Sequence, residues 1–460
     1  MNQRRFFTRD KYSALLKWAD KSNKALFLEG PRQVGKTSLL LKLGKEIFDA
    51  YTYINLAERE SAEHLERLIK AAHLRFGYAG EDEKRGPFWE SVFKGIDPRY
   101  INSERVLIII DEIQESAKVY SYIRQIRRSL KNKLSVTGSY LGLAKSKNDY
   151  WISAGDDMPV ELSSLSYTEF LKANDIYDEY DEIRSFDQHK LTAMDKNIYE
   201  RIRELYRVYC VIGGYPDVVQ EWILNSDLDE CKRMVQDLMN QFYNESSRYF
   251  DEIIGKNLWS RTLERVAADI SAKTGSLDIE LAKEEFRGSD SDGLQIHRKD
   301  KVNALKWLVD CKIVGVAGVY SKLDTVPVLG NKQLYFFRDM GVLSYFCSSS
   351  PLLLPSNFAG MLAENFVYIY LNEQLGTKFL EESVRSYQSS NEQIDFILHD
   401  PQRKRFGFEV KHKKGTTLSG DKALKQHRID YLVRFQDTYG SVSGEQATIP
   451  IFAIDKLKYI

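Results

Sequence analysis

Over the first third of the chain, short apolar runs closed by a glycine or an acid alternate with longer stretches of helical period. Ala25-Leu26-Phe27-Leu28-Glu29 predicts a short buried strand, and Thr37 to Phe48 predicts a helix. Tyr51 to Leu56 predicts a second strand, followed by a Glu- and Arg-rich helix over Ala57 to Ala72. Arg105 to Glu112 is a β-branched apolar run ending in two acids, as expected of a central parallel strand. A helix with a basic face (Arg124, Arg127 and Arg128) spans Tyr120 to Leu130, and Lys133 to Ser139 reads as another strand. Residues 10 to 20 form an amphipathic helix with Leu15, Leu16 and Trp18, whereas Phe76 to Pro87 reads as loop because of its glycine and proline breaks. Strands alternating with helices predict an α/β fold.

Beyond Tyr167 the pattern turns mainly helical. The acidic run Asp175 to Asp187 reads as a solvated excursion, and Lys196 to Val211 as a helix ended by Ile212-Gly213-Gly214-Tyr215-Pro216. The two glycines permit a sharp turn, and Pro216 stops the helix from continuing. A long helix covers Leu228 to Tyr249. Three helices (Leu258 to Thr274, Asp278 to Phe286, Lys299 to Asp310) and two strands (Ile313 to Tyr320, Gln333 to Phe337) then suggest a winged helix. Its third helix, with His297, Arg298, Lys299, Lys301 and Lys306, would enter a DNA major groove or serve as a protein contact. Further on, a helix opens at Leu362, strands cover Gln393 to Leu398 and Arg405 to Lys411, a final helix spans Asp421 to Phe435, and an edge strand spans Pro450 to Ile454.

Composition narrows this picture. At 460 residues the chain has room for about three domains, with 43% hydrophobic and 29% charged residues. Lys+Arg 66 balances Asp+Glu 66, so overall charge does not announce a nucleic-acid partner, although a local basic face is compatible with it. The four cysteines form no CxxC pair, which argues against structural zinc and a disulfide framework. The charged start MNQRRFFTRDKY is no export signal, and no apolar run approaches the ~20 residues that span a bilayer. A cytoplasmic protein without membrane contact is expected.

The stretch Gly30-Pro31-Arg32-Gln33-Val34-Gly35-Lys36-Thr37-Ser38 carries chemistry. Glycine, four free positions and Gly-Lys-Thr between a strand and a helix form a phosphate-binding loop, the Walker A pattern. Its glycines let the backbone wrap a phosphate, and the helix N-terminus adds positive charge. These nine residues, with Asp111 and Ser139, are expected to bind a nucleotide, ATP. Lys36 would reach the β- and γ-phosphates, Thr37 and Asp111 would hold Mg²⁺, and Glu112 would polarise the attacking water, completing a Walker B pair. Thr137 or Ser139, at the next strand tip, would sense the γ-phosphate.

GPRQVGKT, IIIDEIQ, VTGSYL and ELSSLSYTEFL occur here in the order found in a group of bacterial and archaeal AAA+ ATPases, which the chain resembles. The resemblance implies an AAA+ core at 1–165, a helical lid at 166–255, a winged-helix-like domain at 256–350 and a restriction-endonuclease-like α/β domain at 351–460. A homo-oligomer is one of the assemblies it leaves open. Members carry an arginine before the Pro-containing strand, a trans-acting finger. Here that stretch reads Ser153-Ala154-Gly155-Asp156-Asp157-Met158-Pro159. Either Arg124, Arg127 or Arg128 replaces the finger, or activation between subunits is weak.

In the C-terminal part Glu364, Asp395, Glu409 and Lys411 resemble the core of the restriction-endonuclease-like superfamily. There Glu364, Asp395 and Glu409 would hold a divalent metal, while Asp395, Glu409 and Lys411 would act on a phosphodiester. The basic runs Arg403-Lys404-Arg405 and Lys411-His412-Lys413-Lys414 flank this set. The expected function is therefore an ATP-hydrolysing switch acting on DNA or RNA. Its alternatives are an ATP-regulated metal-dependent nuclease and a protein-interaction scaffold with a slow ATPase timer.

Overall fold

The computed structural model describes residues 6–77, 82–139, 155–183, 196–246, 256–273, 275, 277, 298–324, 327–349, 355–411 and 418–459. The chain divides into two compact units, Thr8–Ser163 and Met1–Phe7 with Ser164–Ile460. The spans expected as lid, winged-helix-like and endonuclease-like parts, 166–255, 256–350 and 351–460, all fall within the second.

In the first unit, strands β1 (Ala25–Glu29), β2 (Ala50–Asn55), β3 (Val106–Asp111), β4 (Lys133–Gly138) and β5 (Asp157–Glu161) form one sheet in the order β2-β3-β4-β1-β5. Every neighbouring pair is parallel. β3 and β4 are buried along their full length, which is why β3 reads as a continuous apolar run. β5 carries Pro159 and pairs only with β1, so the missing N–H breaks no ladder between two strands. The 76–87 stretch departs from expectation, because the helix Asp82–Ile96 starts within it and contains Pro87. Phe88, Trp89, Val92 and Phe93 recur at helical spacing and are almost fully buried. Burying each large apolar side chain stabilises by about 1.5–3 kcal/mol, which together outweighs one interior proline.

The second unit holds a mixed eight-stranded sheet in the order β12-β13-β11-β10-β9-β8-β6-β7. Its strands are β6 (Val314–Lys322), β7 (Val328–Phe337), β8 (Arg385–Gln388), β9 (Gln393–His399), β10 (Arg405–Lys411), β11 (Tyr431–Gln436), β12 (Ser441–Ser443) and β13 (Gln446–Pro450). The hairpin expected as a wing, β6–β7, therefore belongs to the same sheet as the strands of the C-terminal part, through the parallel pairing of β6 with β8. The expected helix over Asp421–Phe435 is instead a short helix, Leu418–Lys425, followed by β11. β11 lies between β10 and β13 and is buried at four consecutive positions, so it shows no period-two alternation. The expected edge strand at 450–454 is the end of β13 and a 3₁₀ turn. The expected helix at 278–286, His297 and the side chains of Arg298, Lys299 and Lys301 lie outside the described residues, as do Ser153, Ala154 and 412–414.

The double-glycine turn behaves as its sequence suggests. Gly213 has φ +71°, and a Cβ on Gly214 would stand 2.0 Å from the Leu165 carbonyl oxygen. Asp339 accepts from the Gly214 N–H at 2.9 Å, and the next helix starts at Pro216. All four cysteines are buried free thiols. Among the described residues no helix is long and apolar enough to cross a membrane.

Candidate functional site

β1 leads directly into the phosphate loop and the loop into the helix Lys36–Ile47. Gly30 has φ +149°, and a Cβ there would lie 2.0 Å from the Leu162 carbonyl oxygen, so the loop passes too close to the neighbouring chain for any side chain. Gly35 precedes the helix in the left-handed region, and no side chain caps the helix. Its first N–H groups are thus left for an anion. Gln33, at φ +60°, is a second left-handed position in the loop. A non-glycine residue adopts this conformation only when its surroundings enforce it.

Three strands bring the remaining groups to this helix start. Lys36 Nζ donates to the carbonyl oxygens of Gly30 (2.9 Å) and Pro31 (2.6 Å) and to Ser139 Oγ (3.1 Å). Burial lowers its pKa to about 8, against the opposing pull of Glu112 and Asp111. Thr37 Oγ1 donates to Asp111 Oδ2 at 2.7 Å, and burial raises the Asp111 pKa. Tyr53 on β2 also donates to Asp111 Oδ2, at 2.8 Å. Sequence reasoning missed this tyrosine, because only the sheet pairing of β2 with β3 sets it beside the acid. Glu112 is left-handed at φ +51° and accepts from Gln114 Nε2 at 2.5 Å. Of the two sensor candidates, Ser139 reaches Lys36, while the hydroxyl of Thr137 is fully buried without a hydrogen-bond partner.

The arginines considered as finger replacements are engaged elsewhere. Arg124 and Arg128 both pair with Asp156, at 2.8 and 2.9 Å. Arg127 donates to the carbonyl oxygens of Asn23, Leu130 and Asn132. Asp156 directly precedes β5, so these contacts lie at the start of that strand.

The C-terminal set is arranged differently from the sequence expectation. Glu364, on the helix Phe358–Glu373, and Asp395, on β9, are both at least nine-tenths buried. Lys273 Nζ lies 2.8 Å from Glu364 Oε2 and 2.8 Å from Asp395 Oδ1. Asp395 Oδ2 accepts from the Val410 N–H at 2.8 Å. Glu409 faces other partners. Its Oε1 accepts from the Gly420 N–H at 3.1 Å, and its Oε2 lies 3.4 Å from Arg434 Nε. Among the described residues no three His, Cys, Asp or Glu side chains gather as a metal ligand set. A metal on Glu364, Asp395 and Glu409 does not fit here, because an ammonium already bridges the first two carboxylates and the third is held apart. Lys411 is half-buried, and its charge acts on both Glu364 and Asp395. Arg405 is turned inward, with Nε 3.2 Å from His399 Nε2 and Nη1 donating to the Asp324 and Arg428 carbonyls. It is therefore not available as a phosphate contact. Lys273 left no signal in the sequence, since it follows a helix far from either acid in the chain.

Burial pushes Glu364 up to about 7, against the pull of Lys273, from an ordinary value of 4.5. Burial also works against ionisation of Asp395, yet Lys273, Lys411 and the Val410 N–H outweigh it and hold that carboxyl below its usual range. One ammonium thus secures one full negative charge and only part of the second. Stability from the raised Glu364 is complete below 4.5 and lost as pH rises through about 7. Glu364→Gln is expected to remove roughly 3 kcal/mol of that pH dependence, seen as a smaller difference between urea midpoints at mildly acid and mildly alkaline pH. An unchanged difference would assign the dependence to another group.

Residues 22–171 match the profile of the AAA domain family. This part of the chain is similar to an AAA domain. Residues 203–352 match a domain of unknown function, DUF8612. At the family level an AAA domain binds ATP, with Mg²⁺, and carries ATPase activity. No curated protein matches the chain significantly. Among solved structures, a Walker-type ATPase of Pyrococcus abyssi is similar over 74% of this chain and 96% of its own, at 14% identity and a TM-score of 0.43. The Aeropyrum pernix ORC1 protein in complex with DNA is similar over 75% of this chain and 94% of its own, at 13% identity and a TM-score of 0.28.

Proposed function

We propose that the AAA domain binds and hydrolyses ATP and works as a nucleotide-driven switch. One observation carries this reading: two hydrogen-bonded pairs, Lys36 with Ser139 and Thr37 with Asp111, stand at an uncapped helix N-terminus behind a glycine loop. Thr37 and Asp111, a hydroxyl and a carboxylate 2.7 Å apart, are the hard-oxygen pair that suits Mg²⁺. When bound, Mg²⁺ would neutralise charge on the phosphate oxygens. Lys36 binds the β- and γ-phosphates, Ser139 contacts the γ-phosphate, and Glu112 takes the proton from the attacking water. Gln114, at 2.5 Å from Glu112, orients that carboxylate.

Nucleic acid as the target and a homo-oligomer as the assembly extend this reading on the sequence resemblance alone. Cleavage of nucleic acid is the weaker reading, because Lys273 neutralises the carboxylates that a metal would need. Equilibrium ATP binding with and without Mg²⁺, followed by phosphate release, tests the ATPase. Absence of binding by the intact protein would overturn it. Labelled oligonucleotides titrated with and without ATP test the target.

A further inference from the structure

Arg9 stands outside every motif named above, yet its side chain is buried against the phosphate loop. Its Nη1 donates to the Val34 carbonyl oxygen at 2.7 Å and its Nη2 to the Ser163 carbonyl oxygen at 2.5 Å. The backbone of Arg9 is itself fixed, since its carbonyl accepts from the Tyr12 N–H at 3.0 Å, where the first helix begins. At the other end of the loop Leu162 N–H donates to the Glu29 carbonyl at 2.8 Å, and the Leu162 carbonyl lies against Gly30. Residues 162–163 therefore run beside the loop. They touch its first glycine directly and reach its Val34 carbonyl through Arg9.

The consequence for the loop follows from peptide geometry. The Val34 carbonyl and the Gly35 N–H belong to one planar peptide, which is trans like every other described here. In a trans peptide the two groups point in opposite directions. Drawing the carbonyl onto Arg9 turns the Gly35 N–H away from it and stabilises the left-handed Gly35 at φ +92°. A planar fork can hold two carbonyls at once in fixed directions, which a lysine ammonium on a flexible stem does less well. Ser163 is the last residue of the first unit.

We propose that Arg9 is a positioning residue of the nucleotide site, which orients the Gly35 N–H for phosphate and ties the state of the loop to the chain at Ser163. This inference rests on the ATP reading above. The test uses the full-length chain with Arg9→Ala and Arg9→Lys, measuring ATP turnover and hydrogen exchange with and without ATP. Arg9→Ala is expected to raise KM for ATP about tenfold or more, the scale of a lost charged hydrogen bond, with kcat changed far less. Arg9→Lys should recover part of that loss. In the unaltered protein ATP should slow exchange in peptides covering both 30–37 and 160–165. In Arg9→Ala, saturating ATP should slow only the first. An unchanged KM, or slowing at 160–165 that persists in Arg9→Ala, overturns the proposal while leaving the ATP reading intact. No slowing at 30–37 in the unaltered protein overturns both. If Arg9→Ala does not fold, Arg9→Gln is read by the same criteria.

Discussion

Glu112→Gln is expected to leave ATP bound and nearly unhydrolysed, with kcat lowered by about 10²–10⁴ and ATP affinity kept. The amide preserves the shape of the carboxylate but cannot accept the proton of the attacking water. Glu112 is not required to hold the loop, because the contacts that shape it come from Lys36, Arg9 and Leu162. Lys36→Ala should have the complementary result, with ATP binding itself lost. Its ammonium is the cation that joins the loop carbonyls to Ser139, and alanine leaves phosphates without that partner. Nucleotide retention on a desalting column, paired with steady-state phosphate release, separates the two outcomes. Turnover at the normal rate in Glu112→Gln would remove its role as base.

Lys273→Met is expected to destabilise the second unit by about 3–5 kcal/mol, the cost of leaving a buried carboxylate without its counter-charge. The side chain is of similar length, so packing changes little and the charge is isolated as the cause. Asp395, held ionised chiefly by Lys273 against its burial, would be the group left exposed to that cost. Adding Asp395→Asn to Lys273→Met should return part of the loss, since a neutral amide is cheaper to bury than an unpaired charge. Chemical denaturation of the three proteins is the measurement. A loss below about 1 kcal/mol in Lys273→Met would mean that solvent replaces the ammonium freely.

The two ends of the chain differ in how far their sites could be read. The phosphate loop is contiguous, and its spacing is imposed by the loop's own backbone, so Gly30, Gly35, Lys36 and Thr37 were legible without a structure. Asp111 and Glu112, at and just past the end of β3, were legible because a strand buried on both faces must end where polar residues begin. At the other end, Glu364, Asp395, Glu409 and Lys411 form a pattern in the sequence that does not become one cluster in space. Alternation along β10 says that Glu409 and Lys411 share a face, but not which partners that face meets. The Gly420 N–H and Arg434 on β11 claim Glu409, and Lys273 claims the other two carboxylates.

Local pattern therefore determined the alternating strands and helices of the first unit, the double-glycine turn at Gly213 and the residues expected around a nucleotide. Each is set by interactions within a few residues or by one period of burial. The tertiary structure alone decided that the wing-like hairpin joins the eight-stranded sheet, that Tyr53 bonds to Asp111, that Arg9 grips the loop, and that Lys273 bridges two acids. Those contacts join residues far apart in the chain. Their partners are chosen by which strands and helices pack together, and that choice leaves no local trace in the order of amino acids.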